Sequence, residues 1–322
     1  MSVNFRKVAV VGCGFVGSSS AFALMQSGMF SEMVLIDVMK EKAEGEAMDI
    51  SHGTALNAPM NIYADDYADA KDAAIIVVTA GAAQKPGETR LDLIKKNIGI
   101  FSTIMPEIKK QNCEGVMVVV ANPVDILTYY AMKTSGMPEG RVFGSGTVLD
   151  TARLRYLLGN KLDVDSRSVH AYVIGEHGDS ELITWSNANI SNVPLADFFA
   201  LRGMGDQDLG VAEETIANDV KNSAYEIIAK KRATYYGIAM SVTRICRAIM
   251  KDEKTVLPVS TDPKGSYGIS GCSLALPAIV GRNGVEGLVP VAISEAERDE
   301  LCKSADVLKQ NIELVKEFFP AE

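Results

Sequence analysis

The sequence has few of the features that mark secreted, membrane or metal-dependent proteins. Its five cysteines are scattered without a C-x-x-C pair, so neither a disulfide framework nor a cysteine–zinc site is predicted. Only three histidines are present, and we predict no metal site. No apolar run approaches the roughly 20 residues that cross a bilayer, and the start lacks a signal-peptide pattern. We therefore expect a cytoplasmic protein.

Positive charge is also scarce. The chain has 32 Lys and Arg against 41 Asp and Glu, a formal net charge of −9. Such a protein has no general attraction to phosphate backbones or anionic lipid, so nucleic acid and membrane surfaces are poor partners. The length of 322 residues and the hydrophobic fraction of 47% are those of an ordinary globular protein with one large or two moderate domains.

The first half alternates short apolar runs with longer helical patterns. Continuous β-branched runs predict strands that are buried on both faces, and the alternation predicts right-handed βαβ units around a parallel sheet. We therefore predict a Rossmann-type, doubly wound α/β fold for residues 1–145. The predicted strands are 7–12, 33–37, 74–79, 116–122 and 141–144, and the predicted helices are 16–27, 40–55, 90–111 and 123–134.

The second half mixes helices with alternating strands, which predicts an α+β substrate domain over residues 146–322 that packs closely on the first and forms a cleft with it. One long helix is expected from 211 to 231, continuing through 235–250, and a single strand over 169–175. Further helices are predicted at 147–158 and 294–319, and a hairpin from 255–260 and 273–280.

A glycine-rich motif follows the first predicted strand. The segment from Gly12 to Gly17 reads G-x-G-x-x-G, in which Gly12 allows the tight turn, Gly14 allows backbone to approach a pyrophosphate, and Gly17 allows close helix–strand contact. Asp37 ends the second strand, 20 residues beyond Gly17, where a carboxylate can accept ribose hydroxyls. A purely structural turn is the alternative. The pattern predicts dinucleotide binding, and because Asp37 would repel a 2′-phosphate, NAD is favoured over NADP.

Histidine is the side chain best suited to proton transfer near neutral pH. His177 lies in a glycine-flanked loop, Gly175-Glu176-His177-Gly178-Asp179-Ser180, and is the strongest candidate for an acid/base. His52, in a predicted helix, is interpreted as a helix-end or packing residue.

Four segments together carry a family resemblance: GEHGDS at 175–180, SGTVLDTARLR at 145–155, ANPVDILTY at 121–129 and AGAAQKPGETRLDL at 80–93. They resemble the L-lactate/malate dehydrogenase family over essentially the whole chain, and the short N-terminal segment is typical of its bacterial type. The resemblance implies NAD-dependent hydride transfer between a nicotinamide cofactor and a 2-hydroxy acid. It also implies that Val16 shares the cofactor site with the three glycines.

The resemblance assigns roles to several residues. His177 corresponds to the acid/base and Asp150 to the carboxylate that orients it. Arg153 shares a helix face with Asp150, since the two are three apart, and corresponds to the arginine that binds the substrate carboxylate as a bidentate fork. Arg90 corresponds to the arginine that polarises the carbonyl when a mobile loop closes. Asn122, Thr234 and Ile238 correspond to residues that line the substrate and nicotinamide pocket.

Gln84 corresponds to the loop residue that faces the substituent on the reacting carbon. Malate enzymes have arginine there, and a neutral glutamine would leave the second carboxylate of oxaloacetate unpaired. Pyruvate and L-lactate are therefore the predicted substrates, with malate or another 2-hydroxy acid as the alternative. A non-catalytic NAD-binding protein and a metal-dependent glycosidase on a related fold are the alternatives from other classes, and assays with pyruvate and with EDTA separate them.

Regulation and assembly are also implied by the resemblance. Arg155 and His170 correspond to positions that bind fructose 1,6-bisphosphate across a subunit interface in many bacterial relatives, although relatives insensitive to this sugar carry them too. A structural role or an adventitious anion site is the alternative. The family is usually tetrameric, so a homotetramer is expected. Two residues depart from the family pattern: Arg232 replaces a common glycine and Ile183 a common proline.

Overall fold

The computed structural model describes residues 3–83 and 87–320. In the first half, apolar β-branched runs form buried strands, and amphipathic segments form helices over them. The strands are β1 (Asn4–Val11), β2 (Glu32–Ile36), β3 (Asn61–Ala64), β4 (Ala73–Val78), β5 (Val116–Val119) and β6 (Val142–Gly144). The helices are α1 (Phe15–Ser27), α2 (Lys40–His52), α3 (Arg90–Lys110), α4 (Val124–Thr134) and α5 (Val148–Leu162).

The second half has shorter strands and longer helices. Its strands are β7 (Val169–His170), β8 (Val173–Ile174), β9 (Leu182–Ile183), β10 (Asn189–Ile190), β11 (Val193–Pro194), β12 (Thr255–Thr261), β13 (Leu274–Gly281) and β14 (Gly284–Leu288). Its helices are α6 (Leu195–Leu201), α7 (Asp206–Lys231), α8 (Tyr236–Met250) and α9 (Glu295–Glu313).

Within the described residues, nine strands form one large sheet in the order β14-β13-β12-β6-β5-β4-β1-β2-β3. The six strands of the first half are parallel to one another, and their order 3-2-1-4-5-6 is that of a Rossmann fold. Ligands bind such sheets outside the carboxyl ends of the strands, near the point where the strand order reverses. Here that point lies between β1 and β4. The strand order and the parallel pairing confirm the predicted fold class.

Two hydrophobic clusters cover the two faces of the sheet. Helices α1, α2 and α8 contribute to one cluster, for example through Leu24, Ala43 and Ile245. Helices α3, α4 and α9 contribute to the other. A third cluster lies between α5, α6 and α7, and includes the fully buried Phe199. The clusters anchor the loops at the strand ends, which is where the functional side chains lie.

The predicted hairpin of the second half is present and extends the sheet of the first. Ser260 of β12 pairs antiparallel with Gly144 of β6, and β13 and β14 follow. The large sheet therefore runs continuously across both halves, and a domain division at residues 145 and 146 stays a prediction.

Two predicted elements are wrong in detail. The expected single strand over 169–175 is two short strands, with β7 pairing β10 and β8 pairing β9. The expected continuous helix from 211 to 250 ends at Arg232, which adopts a left-handed conformation with φ 72° at the C-terminus of α7. The helix ends there because a left-handed residue cannot extend a right-handed helix. Glycine adopts this conformation readily, whereas a residue with a side chain adopts it at a cost.

Candidate active site

The glycine-rich loop joins β1 to α1 at the carboxyl end of the sheet. Gly12 has φ 97°, and a Cβ atom there would lie 2.5 Å from the backbone nitrogen of Ala80. A Cβ atom on Gly17 would lie 1.8 Å from the carbonyl oxygen of Gly12. Both glycines therefore have the structural reasons predicted for them.

The N-terminus of α1 is open to a ligand. A Cβ atom on Gly14, the residue directly before α1, would have nothing within 4 Å, and glycine has no side chain with which to cap the helix. Val16 is partly buried against the core behind the loop. Free N–H groups and the helix dipole favour a phosphate at such a position. The arrangement fits the pyrophosphate of a dinucleotide.

Asp37 lies directly after β2 and beside the glycine-rich loop. Its Oδ2 atom accepts a hydrogen bond from the backbone N–H of Cys13 at 2.6 Å, and its Oδ1 atom accepts one from Met39 at 2.9 Å. These bonds fix the carboxylate, which retains further lone pairs for ribose hydroxyls. Val38 is 98% exposed and provides no cation for a 2′-phosphate. The residues present therefore fit NAD.

The second half of the site is built on α5 and the loop after β8. Nδ1 of His177 lies 2.6 Å from Oδ2 of Asp150. The other oxygen of Asp150 lies 2.6 Å from Nη1 of Arg153, one turn along α5. The Asp150 side chain is 2% exposed, and those of Arg153 and His177 are 13% and 24% exposed. One buried carboxylate thus orients an imidazole and a guanidinium that are both partly exposed.

Electrostatics keep this pair charged. Burial opposes the charged form of His177, but the neighbouring carboxylates, above all that of Asp150, raise its pKa to about 9. Burial likewise opposes ionisation of Asp150, but the charges of His177 and Arg153 lower its pKa below the usual value. The site therefore holds an imidazolium against a carboxylate at neutral pH.

Arg90 begins α3 and reaches the loop that carries His177. Its guanidinium forms an ion pair with the buried carboxylate of Glu176 and lies 3.9 Å from a carboxylate oxygen of Asp179. A Cβ atom on Gly178 would lie 3.4 Å from Nη2 of Arg90. The structure therefore places Arg90 beside the His177 loop, and its predicted contact with the substrate carbonyl stays a prediction.

Asp125 fastens that loop to the sheet, a role that sequence reasoning missed. It is 2% exposed, and its carboxylate accepts hydrogen bonds from the backbone N–H of His177 at 2.8 Å and from the hydroxyl of Ser260 at 2.5 Å. Burial raises the pKa of Asp125 to about 6. Its position in the ANPVD segment was the only available signal, because burial cannot be read from residue type.

Glu181 is a second acidic residue that was missed. It is 5% exposed, and one of its carboxylate oxygens, one of Asp150 and one ring nitrogen of His177 lie within 4.8 Å of one another. Two carboxylates thus lie beside the imidazole.

Thr234, Ile238 and Asn122 are predicted to line the substrate and nicotinamide pocket, and Gln84 to face the substrate. Tyr235, which follows Thr234 in the chain, stacks on Phe15 of the glycine-rich loop, with ring centroids 5.4 Å apart. Ile238 packs against the same hydrophobic cluster as Val16. Asn122 lies beyond the end of β5, and its carbonyl oxygen accepts a hydrogen bond from Asn97 at 2.6 Å. Gln84 lies outside the described residues.

Arg155 and His170 line a separate cavity of about 370 Å³, together with Arg244 of α8. The Arg155 guanidinium donates to the carbonyl oxygens of Ser166 and Arg167, and burial lowers its pKa. The lining of this cavity does not include His177, Asp150 or Arg153.

Two further observations concern membrane-spanning helices and the cysteines. No helix in the described ranges is both long and apolar enough to cross a membrane. All five cysteines, each of which the structure describes, are unpaired.

The Rossmann fold, together with the glycine-rich loop and the site around His177, defines a dinucleotide-binding oxidoreductase. Residues 6–144 match the family described as lactate/malate dehydrogenase, NAD binding domain, and residues 147–319 match the lactate/malate dehydrogenase, alpha/beta C-terminal domain. The chain belongs to the lactate/malate dehydrogenase family. The predicted family, enzyme class and cofactor NAD are therefore confirmed.

Similar proteins match along almost their full length. The chain is 48% identical to L-lactate dehydrogenase 1 of Clostridium acetobutylicum, over 96% of this chain and 98% of that protein. It is 50% identical to L-lactate dehydrogenase of Thermoanaerobacterium saccharolyticum, over 94% of this chain and 98% of the relative.

Solved structures agree. A lactate dehydrogenase from a Medee basin deep-sea metagenome library has a TM-score of 0.93 at 45% identity, and the match covers 98% of this chain and all of that one. The minor L-lactate dehydrogenase of Enterococcus mundtii has a TM-score of 0.92 at 44% identity, covering 96% of this chain and 98% of that one.

Proposed function

We propose that the protein is an L-lactate dehydrogenase that reversibly reduces pyruvate to L-lactate with NADH. The observation that carries the proposal is the linked arrangement of His177, Asp150 and Arg153 in a chain that also carries a dinucleotide-binding loop. An acid/base and a carboxylate-binding fork held on one buried anion suit a 2-keto acid, which needs both. The names of the similar proteins above agree with the lactate reaction, and they do not favour malate.

In this proposal His177 transfers the proton. Its Nδ1–H donates to Asp150, which leaves Nε2 to face the carbonyl oxygen of pyruvate. The imidazolium donates a proton to that oxygen during reduction and accepts it during lactate oxidation. Asp150 holds the tautomer and stabilises the cation, and this keeps the acid ready at neutral pH.

Arg153 binds the substrate carboxylate. Its Nη1 atom is already bound to Asp150, so the guanidinium is held in one orientation before substrate arrives. The remaining donors can form a planar fork with a carboxylate. This orients the keto carbon toward the cofactor site.

Gly12, Gly14, Val16 and Gly17 would hold the cofactor pyrophosphate, Asp37 the ribose, and Asn122 and Ile238 the nicotinamide. Bound NADH supplies the hydride for the carbonyl carbon, and bound NAD⁺ accepts it in the reverse direction. Thr234 would line the substrate pocket.

Arg90 would stabilise the negative charge that develops on the carbonyl oxygen. It would leave its contact with Glu176 as the loop before α3 closes over the substrate. Closure excludes water, which strengthens this electrostatic interaction.

Substrate choice follows from Gln84, which has no charge to pair with a second carboxylate. The experiment is NADH oxidation with pyruvate and with oxaloacetate. We expect a higher kcat/KM with pyruvate, and a Gln84→Arg variant shifted toward oxaloacetate by orders of magnitude. A wild-type preference for oxaloacetate would overturn the lactate assignment, and turnover of neither substrate would favour a non-catalytic protein.

The proposed assembly is a cytoplasmic homotetramer that fructose 1,6-bisphosphate activates. The cavity lined by both Arg155 and His170 supports an effector site. The exposed apolar side chains of Met48, Tyr156 and Met240 support contacts between subunits. The unpaired cysteines fit a reducing compartment. Sedimentation analysis tests the tetramer. A pyruvate KM that stays unchanged at millimolar bisphosphate would remove the effector from the proposal.

A further inference from the structure

Glu181 is a buried acidic side chain close to the proposed acid/base, and the proposed mechanism leaves it without a role. It lies between the His177 loop and β9, and its backbone N–H donates to the carbonyl oxygen of Gly178 at 3.1 Å. The residue is 5% exposed. Across residues 3–83 and 87–320, no group donates a hydrogen bond to its carboxyl group. A carboxylate in such a place needs a reason, because burial without donors disfavours its charge.

The carboxyl group of Glu181 faces the acid/base pair directly. One of its oxygens lies within 4.8 Å of a ring nitrogen of His177 and of a carboxylate oxygen of Asp150. Arg153 of α5 and Lys221 of α7 are the cations whose charges act on it. His177 in turn experiences the charges of Asp150, Glu181 and Asp125.

We propose that Glu181 is a positioning residue of the active site, whose side-chain charge sets how tightly the imidazole of His177 holds its proton. The inference rests on the proposed role of His177 as acid/base. Glu181 itself is not expected to touch the substrate. It acts through His177.

The two groups titrate in the same pH range and affect each other. Burial, followed by the repulsion of Asp150, raises the pKa of Glu181 to about 8, and the neighbouring carboxylates raise the pKa of His177 to about 9. Negative charge on Glu181 lies close to the imidazolium and opposes the loss of its proton, so Glu181 and His177 titrate as a coupled pair.

The functional consequence concerns the pH range of keto-acid reduction, which requires protonated His177. With Glu181 present, His177 keeps its proton to a higher pH than Asp150 alone would allow. The variant Glu181→Gln retains the shape of the side chain and removes its charge. The protonation midpoint of His177 should then fall by about one pH unit, a tenfold loss of proton affinity.

The direct test is nuclear magnetic resonance titration of the histidine Cε1–H signals in the full chain. The sequence has only three histidines, and the variants His52→Gln and His170→Gln identify the signal of His177. In wild type we expect a small inflection near pH 8 from Glu181, followed by the main transition of His177. In Glu181→Gln we expect the inflection to vanish and the main transition to move to lower pH.

Two variants complete the comparison. Glu181→Asp keeps the charge and should restore most of the wild-type midpoint. Glu214→Gln removes an exposed carboxylate of α7 and should change nothing. If Glu181→Gln fails to fold, Glu181→Met removes the charge with an apolar side chain of similar length. The inflection is measured on the wild-type protein, so this part of the test does not depend on any variant. An unchanged His177 midpoint, or a wild-type titration without the inflection, overturns the proposal.

An activity measurement separates this inference from the proposed function. In Glu181→Gln the alkaline decline of kcat/KM for pyruvate should move to lower pH together with the resonance titration. If the resonance of His177 shifts and the activity profile does not follow, the Glu181 inference stands and the acid/base role of His177 is wrong. If neither shifts, the Glu181 inference is wrong.

Discussion

Nδ1 of His177 lies 2.6 Å from Oδ2 of Asp150, although the two residues belong to different elements. Asp150 is in the first turn of α5, and His177 follows β8. A further hydrogen bond fixes the backbone at His177, since the carboxylate of Asp125 accepts a hydrogen bond from the backbone N–H of His177. The orientation of the imidazole is therefore built into the folded protein before any ligand binds.

The first prediction is the pH dependence of the two directions of reaction. Pyruvate reduction needs the imidazolium form of His177, whose pKa is raised to about 9. We expect kcat/KM for pyruvate to be flat between pH 6 and about 8 and to fall about tenfold per pH unit above 9. For lactate oxidation, which needs the neutral imidazole, kcat/KM should rise with pH and level off above the His177 pKa of about 9. Profiles measured in both directions should mirror each other.

Asp150→Asn provides the comparison for this profile. Loss of the negative charge should move the alkaline limb of pyruvate reduction to lower pH. A wild-type enzyme whose pyruvate reduction already declines below pH 7 would contradict the assigned charge state of His177.

The second prediction concerns Arg153. In Arg153→Lys the charge remains, but the planar fork that binds a carboxylate and the hydrogen bond to Asp150 are both altered. We expect kcat/KM for pyruvate to fall about 100-fold, mostly through KM. Initial rates over a range of pyruvate concentrations measure this. Arg167→Lys is the matched control, since Arg167 also pairs with an aspartate but is exposed. Equal losses in the two variants would argue against substrate binding by Arg153.

The third prediction concerns Gly17. In Gly17→Ala the new methyl group would lie 1.8 Å from the carbonyl oxygen of Gly12, so α1 must move away from β1. We expect a loss of about 3 kcal/mol in the free energy of unfolding and weaker NADH binding. Chemical denaturation and fluorescence titration measure the two effects.

Gly45→Ala is its control. Gly45 lies inside α2, and a methyl group added there would have nothing within 4 Å, so alanine should stabilise the protein by about 1 kcal/mol. If both substitutions leave stability unchanged, the close contact between α1 and β1 is not as described.

The fourth prediction concerns the end of α7. Arg232 has φ 72°, a conformation that is unfavourable for residues with a side chain. Arg232→Gly should therefore raise the free energy of unfolding by up to about 1 kcal/mol, while Lys230→Gly, inside the helix, should lower it by about the same amount. Thermal denaturation of the two variants side by side tests this. A destabilised Arg232→Gly would mean that the arginine side chain makes a stabilising contact.

Local patterns predicted much of the fold and the cofactor site. Gly12, Gly17 and Asp37 could be identified because a tight turn, a close approach and a strand end each demand a particular residue type. The parallel strands could be recognised from their apolar runs. The break at Arg232 could not, since arginine is a good helix former and its residue type does not indicate a left-handed conformation.

Asp125, Glu176 and Glu181 show the limit of sequence reasoning at the site. As residue types they resemble any surface carboxylate, and each is almost completely buried. Their burial depends on which segments pack over them, which no local spacing reveals. Their influence on His177 and Arg90 therefore becomes visible only in the folded chain.

The amino-acid sequence by itself determined the βα alternation, the glycine-rich turn and the family to which the chain belongs, because these depend on short-range sterics and hydrophobic periodicity. The tertiary structure alone decided that β12 joins β6, and that buried carboxylates surround one imidazole. These features depend on long-range packing, in which the chain excludes water from charged groups and so changes how strongly they hold protons.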